Sequence, residues 1–194
     1  MFATSQLHAQ APDFMWAKQT DGANVDQTEF SRAITQDASG NIYVTGDFHG
    51  KITFGSTTLT SAGADVFITK YDASGNVLWA RKGGGKNYDH GFGITVDGSG
   101  NILVTGTFRG TTTFGNITLV SAGEYDIFLV KYDASGNVLW ARKAGGSSND
   151  HGYSVTVDRF GNAYIAGDFS GTASFGFGST TFTSSGLEDI FVAK

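Results

Sequence analysis

The sequence predicts an all-β fold made of three copies of one antiparallel unit. Glycine and phenylalanine are abundant, with 28 and 16 of 194 residues, and no stretch shows helical periodicity. The segment Tyr71–Trp79 returns almost letter for letter at Tyr132–Trp140. Finally, Trp16, Trp79 and Trp140 mark a repeat of about 61 residues. Self-similarity at such a period indicates repeated supersecondary units.

The repeated segment is a β-hairpin with a recognisable turn. Its sequence, YDASGN followed by V-L-W, places a turn between two apolar runs. Asp72 and Asp133 can accept hydrogen bonds from backbone amides ahead of them, and glycine takes the positive φ that a reversal needs. A Gly-Asn step between two β-rich runs is a hairpin signal.

The middle copy shows how a whole unit divides into strands. Four apolar or alternating runs predict four strands, at 93–96, 102–105, 127–132 and 138–142. Between the second and third lies a Thr-rich excursion, 111–121, which predicts a small hairpin or an elongated loop. The first and third copies divide in the same way.

Four short antiparallel strands per repeat form the unit of a β-propeller blade. Stacked hairpins of a β-solenoid are the structural alternative, but solenoid periods are usually shorter. We therefore predict a three-blade domain over residues 13–194, with repeats at about 16–78, 79–139 and 140–194. Residues 13–19 form a strand that completes the last blade.

Three motifs of the repeat, DASGNVLWARK, GxxxxVDxxGNxYVTGxF and DxFxxKYD, resemble the bacterial SBBP-type β-propeller repeat. The resemblance covers Phe14 to Lys194 and recurs three times. It implies propeller blades of a family found in exported and envelope proteins. That family has no common catalytic residues, so the resemblance implies no chemistry.

The first residues favour export. Residues 1–12 read as a leader, and Ala9-Gln10-Ala11 has the small-x-small pattern of a signal-peptidase site. We interpret them as the remnant of a signal peptide, with an unstructured leader or cloning remnant as the alternative. The expected location is extracellular, periplasmic or in the cell envelope of a bacterium. No apolar run is long enough to span a bilayer.

The two ends of the domain are complementary. The first copy has a Trp strand without a preceding YDASGN hairpin, whereas the last copy stops before that hairpin. Closed propellers have about four to eight blades. We therefore expect a head-to-tail homo-oligomer, with a dimer of six blades favoured. A fragment of a longer propeller is the alternative.

One candidate site lies at the start of the first strand of each unit. Glu29, Asp89 and Asp150 are equivalent, and His90 and His151 follow the last two. Converging acids and histidines could bind a ligand or a divalent cation near the propeller axis. The alternative is that the carboxylates accept backbone N–H bonds in the loop, and we favour it because a residue repeated in every blade usually serves the blade.

A second candidate site is a sugar pocket between blades, in which an indole stacks on a pyranose ring and a cation bonds to hydroxyls. Its residues are Trp16, Trp79, Trp140, Arg81 and Arg142. Packing between blades is the alternative that we favour, because large aromatic residues dominate such interfaces.

The composition and motifs exclude several classes of function. The net charge of −5 argues against nucleic-acid binding, and the lack of cysteine removes disulfides and thiolate sites. No sequence motif of a common enzyme class occurs.

We therefore predict a non-enzymatic exported structural or interaction module with no cofactor. Its partner is a second copy and an unknown protein or glycan. The alternatives are a lectin-like binder with one pocket per blade, and a metal-binding or metal-dependent enzyme at the axis.

Overall fold

The computed structural model describes residues 15–22, 28–176 and 180–194, and their regular structure is entirely β. Every strand pair is antiparallel. The strands form three blades in chain order, which confirms the all-β propeller prediction. The leader, residues 1–12, lies outside the described residues.

Blades 1 and 2 each contain four strands in sequence order. Blade 1 consists of β2 (Glu29–Gln36), β3 (Ile42–Phe54), β4 (Thr57–Tyr71) and β5 (Val77–Gly85). Blade 2 consists of β6 (Asp89–Val96), β7 (Ile102–Phe114), β8 (Ile117–Tyr132) and β9 (Val138–Gly146). The first strand of each blade is called the inner strand, and the fourth is called the outer strand.

Blade 3 contains three strands of the same arrangement and a separate hairpin. Its strands are β10 (Asp150–Val157), β11 (Ala163–Phe169), β12 (Thr172–Phe175), β13 (Thr180–Thr183) and β14 (Asp189–Ala193). The sheet has the order β10-β11-β14, and β12 pairs with β13. Among the described residues, no outer strand pairs with the other edge of β14.

The Thr-rich excursion forms a hairpin at the far end of each blade. In blades 1 and 2 the second and third strands run on without a break into it, with an irregularity at His49/Lys51 and at Arg109/Thr111. In blade 3 the same hairpin is the separate pair β12–β13. The hairpin therefore extends each blade beyond its main sheet.

Backbone pairing joins each outer strand to the hairpin of the next blade. Gly84 of β5 lies opposite Thr113 of β7, and Gly145 of β9 lies opposite Ser174 of β12. The short strand β1 (Asp21–Gly22) makes the same connection to blade 1, with Asp21 opposite Thr53. The inner strand β6 packs against both β2 and β10, so the three blades lie side by side.

Asp turns of the predicted type connect the strands. The Asp97 carboxylate accepts hydrogen bonds from the backbone N–H groups of Ser99 and Asn101, both at 2.9 Å. Gly100 supplies the positive φ of 80°. The same pattern recurs at four more turns, which begin at Asp37, Asp72, Asp133 and Asp158.

Each blade is built around a pair of phenylalanine rings. The centroids of Phe114 and Phe128 are 4.7 Å apart in blade 2, and the pairs Phe54/Phe67 and Phe175/Phe191 are equivalent. A small buried residue of the outer strand, Ala80 or Ala141, joins the first two clusters. Aromatic pairs of this kind contribute beyond the burial of their area.

One glycine per blade allows the second strand to approach a bulge of the inner strand. A Cβ added to Gly106 would lie 1.9 Å from the carbonyl oxygen of His90. Gly46 and Gly167 show the same close approach, at 1.8 Å. No side chain fits at such a distance, so glycine is required here by the backbone itself.

We expect Gly106→Ala to lower the free energy of unfolding by about 3 kcal/mol, because the new methyl group displaces backbone. Gly98→Ala is the matched control, since a Cβ at Gly98 meets no atom within 4 Å. Urea denaturation followed by circular dichroism measures both. Equal stabilities of the two variants would contradict the close approach.

Of the predicted strand at 13–19, the described part lies against blade 1 of its own chain. Residues 13 and 14 lie outside the described residues, and Met15–Gln19 form no hydrogen-bonded ladder. The Trp16 indole N–H donates to the carbonyl oxygen of Ala73, at 3.2 Å. The segment 15–22 therefore packs against a turn of blade 1 before β1 joins the sheet.

Candidate functional site

The predicted aspartates of the inner strands are fully buried and bond to backbone amides. Asp89 accepts from the N–H of Gly85 at 2.9 Å and from the N–H of Arg109 at 3.3 Å. Asp150 accepts the equivalent two bonds, at 2.7 and 3.3 Å. Each carboxylate thus ties the end of one blade's outer strand to the second strand of the next blade.

The third predicted acid, Glu29, differs from the two aspartates. It is half-buried, and its Oε1 atom has no hydrogen-bond partner among the described residues. Burial raises the pKa of Glu29 above its ordinary value. It lies at the start of β2, and among the described residues it makes neither of the backbone bonds that Asp89 makes.

Burial raises the pKa of Asp89 to about 7 and that of Asp150 to about 6. The backbone hydrogen bonds oppose this shift, and the nearby charges of Asp65 and Asp126 add to it. Asp65 itself is paired with Lys82 of the outer strand. The carboxyl group of Asp89 therefore changes its charge near neutral pH, in contrast to an exposed aspartate.

We expect the Asp89 side-chain carbon to titrate near pH 7 in ¹³C NMR, whereas Asp97, whose pKa is lowered to about 2, serves as the internal control. Because the folded-state pKa of Asp89 exceeds its unfolded value of about 4, its contribution to stability is lost as the pH rises from about 4 to 7. The Asp89→Asn spectrum assigns the signal. A midpoint below 5 for Asp89 would contradict the effect of burial.

A continuous row of aromatic and cationic side chains crosses the three inner strands and includes one residue of β8. We call it the aromatic ladder. Its members are Phe30, Arg32, His90, Phe92, Tyr125, His151 and Tyr153.

The rings of blades 2 and 3 follow one another at stacking distance. The centroid of Phe92 lies 6.0 Å from His90 and 5.4 Å from Tyr153. His151 stacks on Tyr153 at 5.7 Å and contacts Tyr125 at 6.0 Å. The predicted histidines are thus brought together through aromatic rings, without a shared carboxylate between them.

Arg32 connects blade 1 to this row. Its guanidinium carbon lies 5.1 Å from the ring centre of Phe30 and 5.0 Å from that of Phe92. The same group pairs with the buried carboxylate of Asp47, whose other oxygen lies 3.3 Å from His90 Nδ1. The Asp47 carboxylate therefore pairs with the guanidinium group and lies beside the imidazole ring of the adjacent blade.

The aromatic ladder is open to a ligand. Phe30 and Tyr153 remain 48% and 46% exposed. In the part of the chain that the structure describes, two of its buried polar atoms, His90 Nδ1 and His151 Nδ1, have no hydrogen-bond partner, and neither has Oδ1 of Asp168 beside Tyr153. Burial and the charge of Asp168 raise the pKa of Tyr153 to about 12, which keeps its hydroxyl group a neutral donor.

Within the described residues, no group of three His, Asp or Glu side chains is arranged to hold a metal ion. Asp89 and His90 are adjacent on one strand, so their side chains point to opposite faces. Asp89 is buried among backbone amides and His90 lies in the aromatic ladder. The metal site therefore receives no support from this geometry.

The candidate sugar-binding residues form contacts between blades. The Trp79 indole N–H donates to the carbonyl oxygen of Ala134 in the next blade, at 3.2 Å. Arg81 donates to the carbonyl oxygens of Ser135 and Gly136 in the same turn, each at 3.2 Å. These hydrogen bonds already engage the indole and guanidinium N–H groups that would bind the hydroxyl groups of a sugar.

The outer strand of blade 2 carries the equivalent pair, Trp140 and Arg142. The Arg142 guanidinium carbon lies 6.0 Å from the centre of the Trp140 ring. Trp16 makes the indole contact with blade 1 and remains partly exposed. Sugar binding at these residues stays a prediction.

Sequence reasoning missed Arg32, Phe92, Tyr125 and Tyr153. Three of them stand two residues after Phe30, His90 and His151, so the alternation of a strand could have placed them on the same side. Tyr125 belongs to β8, far from the others in sequence. Only the pairing of β7 with β8 brings it beside the inner strands.

Comparison with known proteins agrees with this architecture. Residues 139–168, which begin in the outer strand of blade 2 and extend into β11, match the family model described as SBBP, beta-propeller repeat. The chain carries an SBBP repeat.

Two longer proteins are similar to this chain. It is 31% identical over 157 residues to the "Uncharacterized WD repeat-containing protein L264" of Acanthamoeba polyphaga mimivirus, over 70% of this chain and 11% of that protein. It is 28% identical over 138 residues to the "Regulatory protein FlaEY" of Caulobacter vibrioides, over 67% of this chain and 14% of that protein. The chain thus spans a small part of both relatives.

No helix capable of crossing a membrane occurs in the described residues.

Proposed function

We propose that this protein is a non-enzymatic, exported interaction module that binds a protein partner through the aromatic ladder. The observation that carries the proposal is the row of stacked rings across the inner strands, with exposed aromatic ends at Phe30 and Tyr153. Aromatic residues and arginine are enriched in interaction hot spots, and aromatic rings bury a large area with little loss of conformational freedom.

The chemistry of the surface favours binding over catalysis. The buried acids, Asp89 and Asp150, are engaged with backbone amides and lie away from the open surface. The exposed part of the site offers rings, a guanidinium group fixed by Asp47, and neutral hydrogen-bonding groups. These are groups that recognise a ligand, and no nucleophile stands beside a base among them.

The partner expected here is an extended protein segment with apolar side chains. Such a segment can pack its side chains on the rings of Phe92 and Tyr153, and its amide groups can bond to the unpartnered atoms of His151 and Asp168. Arg109 and Glu124 form an ion pair beside Tyr125, at 2.6 Å, and add a polar rim. The resemblance of the repeat to those of exported proteins supports the exported location that we propose.

A photo-crosslinking amino acid at position 153 should capture a defined protein from the envelope and extracellular fractions of the producing cells. Position 139 is the matched control, because Leu139 is 51% exposed, close to the value for Tyr153, and lies on an outer strand. We further expect Tyr153→Ala to weaken binding of the captured protein by about 10-fold or more, and Leu139→Ala to leave it unchanged. Equal capture at both positions would contradict recognition at the aromatic ladder.

A further inference from the structure

We propose that each junction between neighbouring blades binds one proton, held by a buried group of two carboxyl groups and one lysine, and that loss of this proton loosens the contact between the blades. We call each such set a junction group. The members are Asp65, Asp89 and Lys82 between blades 1 and 2, and Asp126, Asp150 and Lys143 between blades 2 and 3. None of them belongs to the aromatic ladder.

The two carboxyl groups of a junction group come from different blades. Asp65 lies in the third strand of blade 1, Asp89 begins the inner strand of blade 2, and both side chains are fully buried. At the next junction, a Cβ added to Gly145 would lie 3.0 Å from Asp126 Oδ1 and 2.8 Å from Asp150 Oδ2. The two acids thus converge on the end of one outer strand, out of contact with bulk water.

One cation faces each pair of acids. The Lys82 ammonium group pairs with Asp65, and the Lys143 ammonium group lies 3.5 Å from Asp126 Oδ2. With both acids ionised, a junction group carries one net negative charge, whereas with one proton bound it is neutral. Because an uncompensated charge is costly to bury, the neutral form is favoured. The lysine side chains are 39% and 41% exposed, so water weakens their attraction for the buried acids.

Each junction group contains a buried oxygen atom without a partner. Asp65 Oδ1 and Asp126 Oδ1 accept no hydrogen bond within the described residues, whereas their Oδ2 atoms face the lysines. An unsatisfied buried acceptor lowers stability. A protonated Asp89 or Asp150 carries an O–H donor that can satisfy this oxygen, directly or through a buried water molecule.

Side chains of the neighbouring strands provide no second cation for a junction group among the described residues. Those that carry or gain charge at this end of the strands are Glu29, Arg32, Asp47, His49, His90, Arg109, Glu124, His151 and Asp168. Both arginines are paired with other acids. His49 attracts Asp65 when it is protonated, and Asp168 repels the charge of Asp150. A bound proton therefore supplies the second positive charge.

Ionisation of both acids acts on the contact between blades, because Asp89 belongs to blade 2 whereas Asp65 and Lys82 belong to blade 1. Burial and the charge of Asp65 outweigh the hydrogen bonds from Gly85 and Arg109, and the pKa of Asp89 is raised to about 7. A closed junction therefore holds its proton more tightly than an open one, in which the carboxyl group is hydrated. Rising pH shifts the junction toward the open form, between about pH 4 and 7.

Hydrogen exchange of backbone amides tests this loosening. After correction for intrinsic exchange rates, the protection of the Gly85 and Arg109 amides should fall by about 10-fold or more between about pH 5 and pH 8. The Val104 amide, in β7 and away from both acids, is the control and should change less. An equal fall at all three amides, or no fall at Gly85 and Arg109, overturns the loosening of the junction.

Asp65→Asn tests the count of charges. With one acid and one cation, the junction is neutral without a bound proton, so the midpoint of the Asp89 titration in ¹³C NMR should fall by about one pH unit or more. Glu124→Gln removes an exposed carboxylate at the next junction and should leave this midpoint unchanged. An unchanged midpoint in Asp65→Asn overturns the proposal, because burial alone then accounts for the titration of Asp89.

Lys82→Met should produce the opposite change. It removes a partly exposed cation and leaves two buried acids, so the midpoint of the Asp89 titration should rise. Lys143→Met makes the same change at the other junction, where it should raise the midpoint of Asp150 and leave that of Asp89 unchanged. A midpoint of Asp89 that falls or stays the same in Lys82→Met contradicts a proton bound by the junction group.

Discussion

The pairing of each outer strand with the hairpin of the next blade is the constraint on which the arrangement depends. Gly84 and Gly145 carry this pairing, and a Cβ at Gly84 would lie 2.2 Å from the carboxylate of Asp65. Because the ladder of hydrogen bonds continues from one blade into the next, neighbouring blades cannot slide relative to each other. The inner strands are thereby held at a fixed spacing.

This fixed spacing explains both the buried acids and the aromatic ladder. Asp89 can bond to Gly85 and Arg109 only because the outer strand β5 of blade 1 meets the first two strands of blade 2, β6 and β7. The same junction positions His90 and Phe92 beside residues of the neighbouring blades. The structural acid and the proposed recognition surface thus lie on opposite faces of the same strand, so substitutions on one face need not affect the other.

The repeat architecture also explains why blades 1 and 3 each expose apolar side chains on one face. Blade 2 is covered on both faces by its neighbours, and its outer strand pairs with the hairpin of blade 3. Ile34 at one end and Ile190 at the other lack that cover within one chain. Burial of apolar area, at about 25 cal/mol per Å², favours any contact that covers them.

The sequence by itself determined the all-β class, the period, the Asp turns at residues such as Asp97, and the blade as the unit, because turn chemistry and alternation are local. It also located His90 and His151. Only the tertiary structure decided that Asp89 serves backbone amides, that Trp79 bonds to the next blade, and that Tyr125 stands beside the histidines. These outcomes depend on strand register and on contacts between residues distant in sequence, which no local pattern specifies.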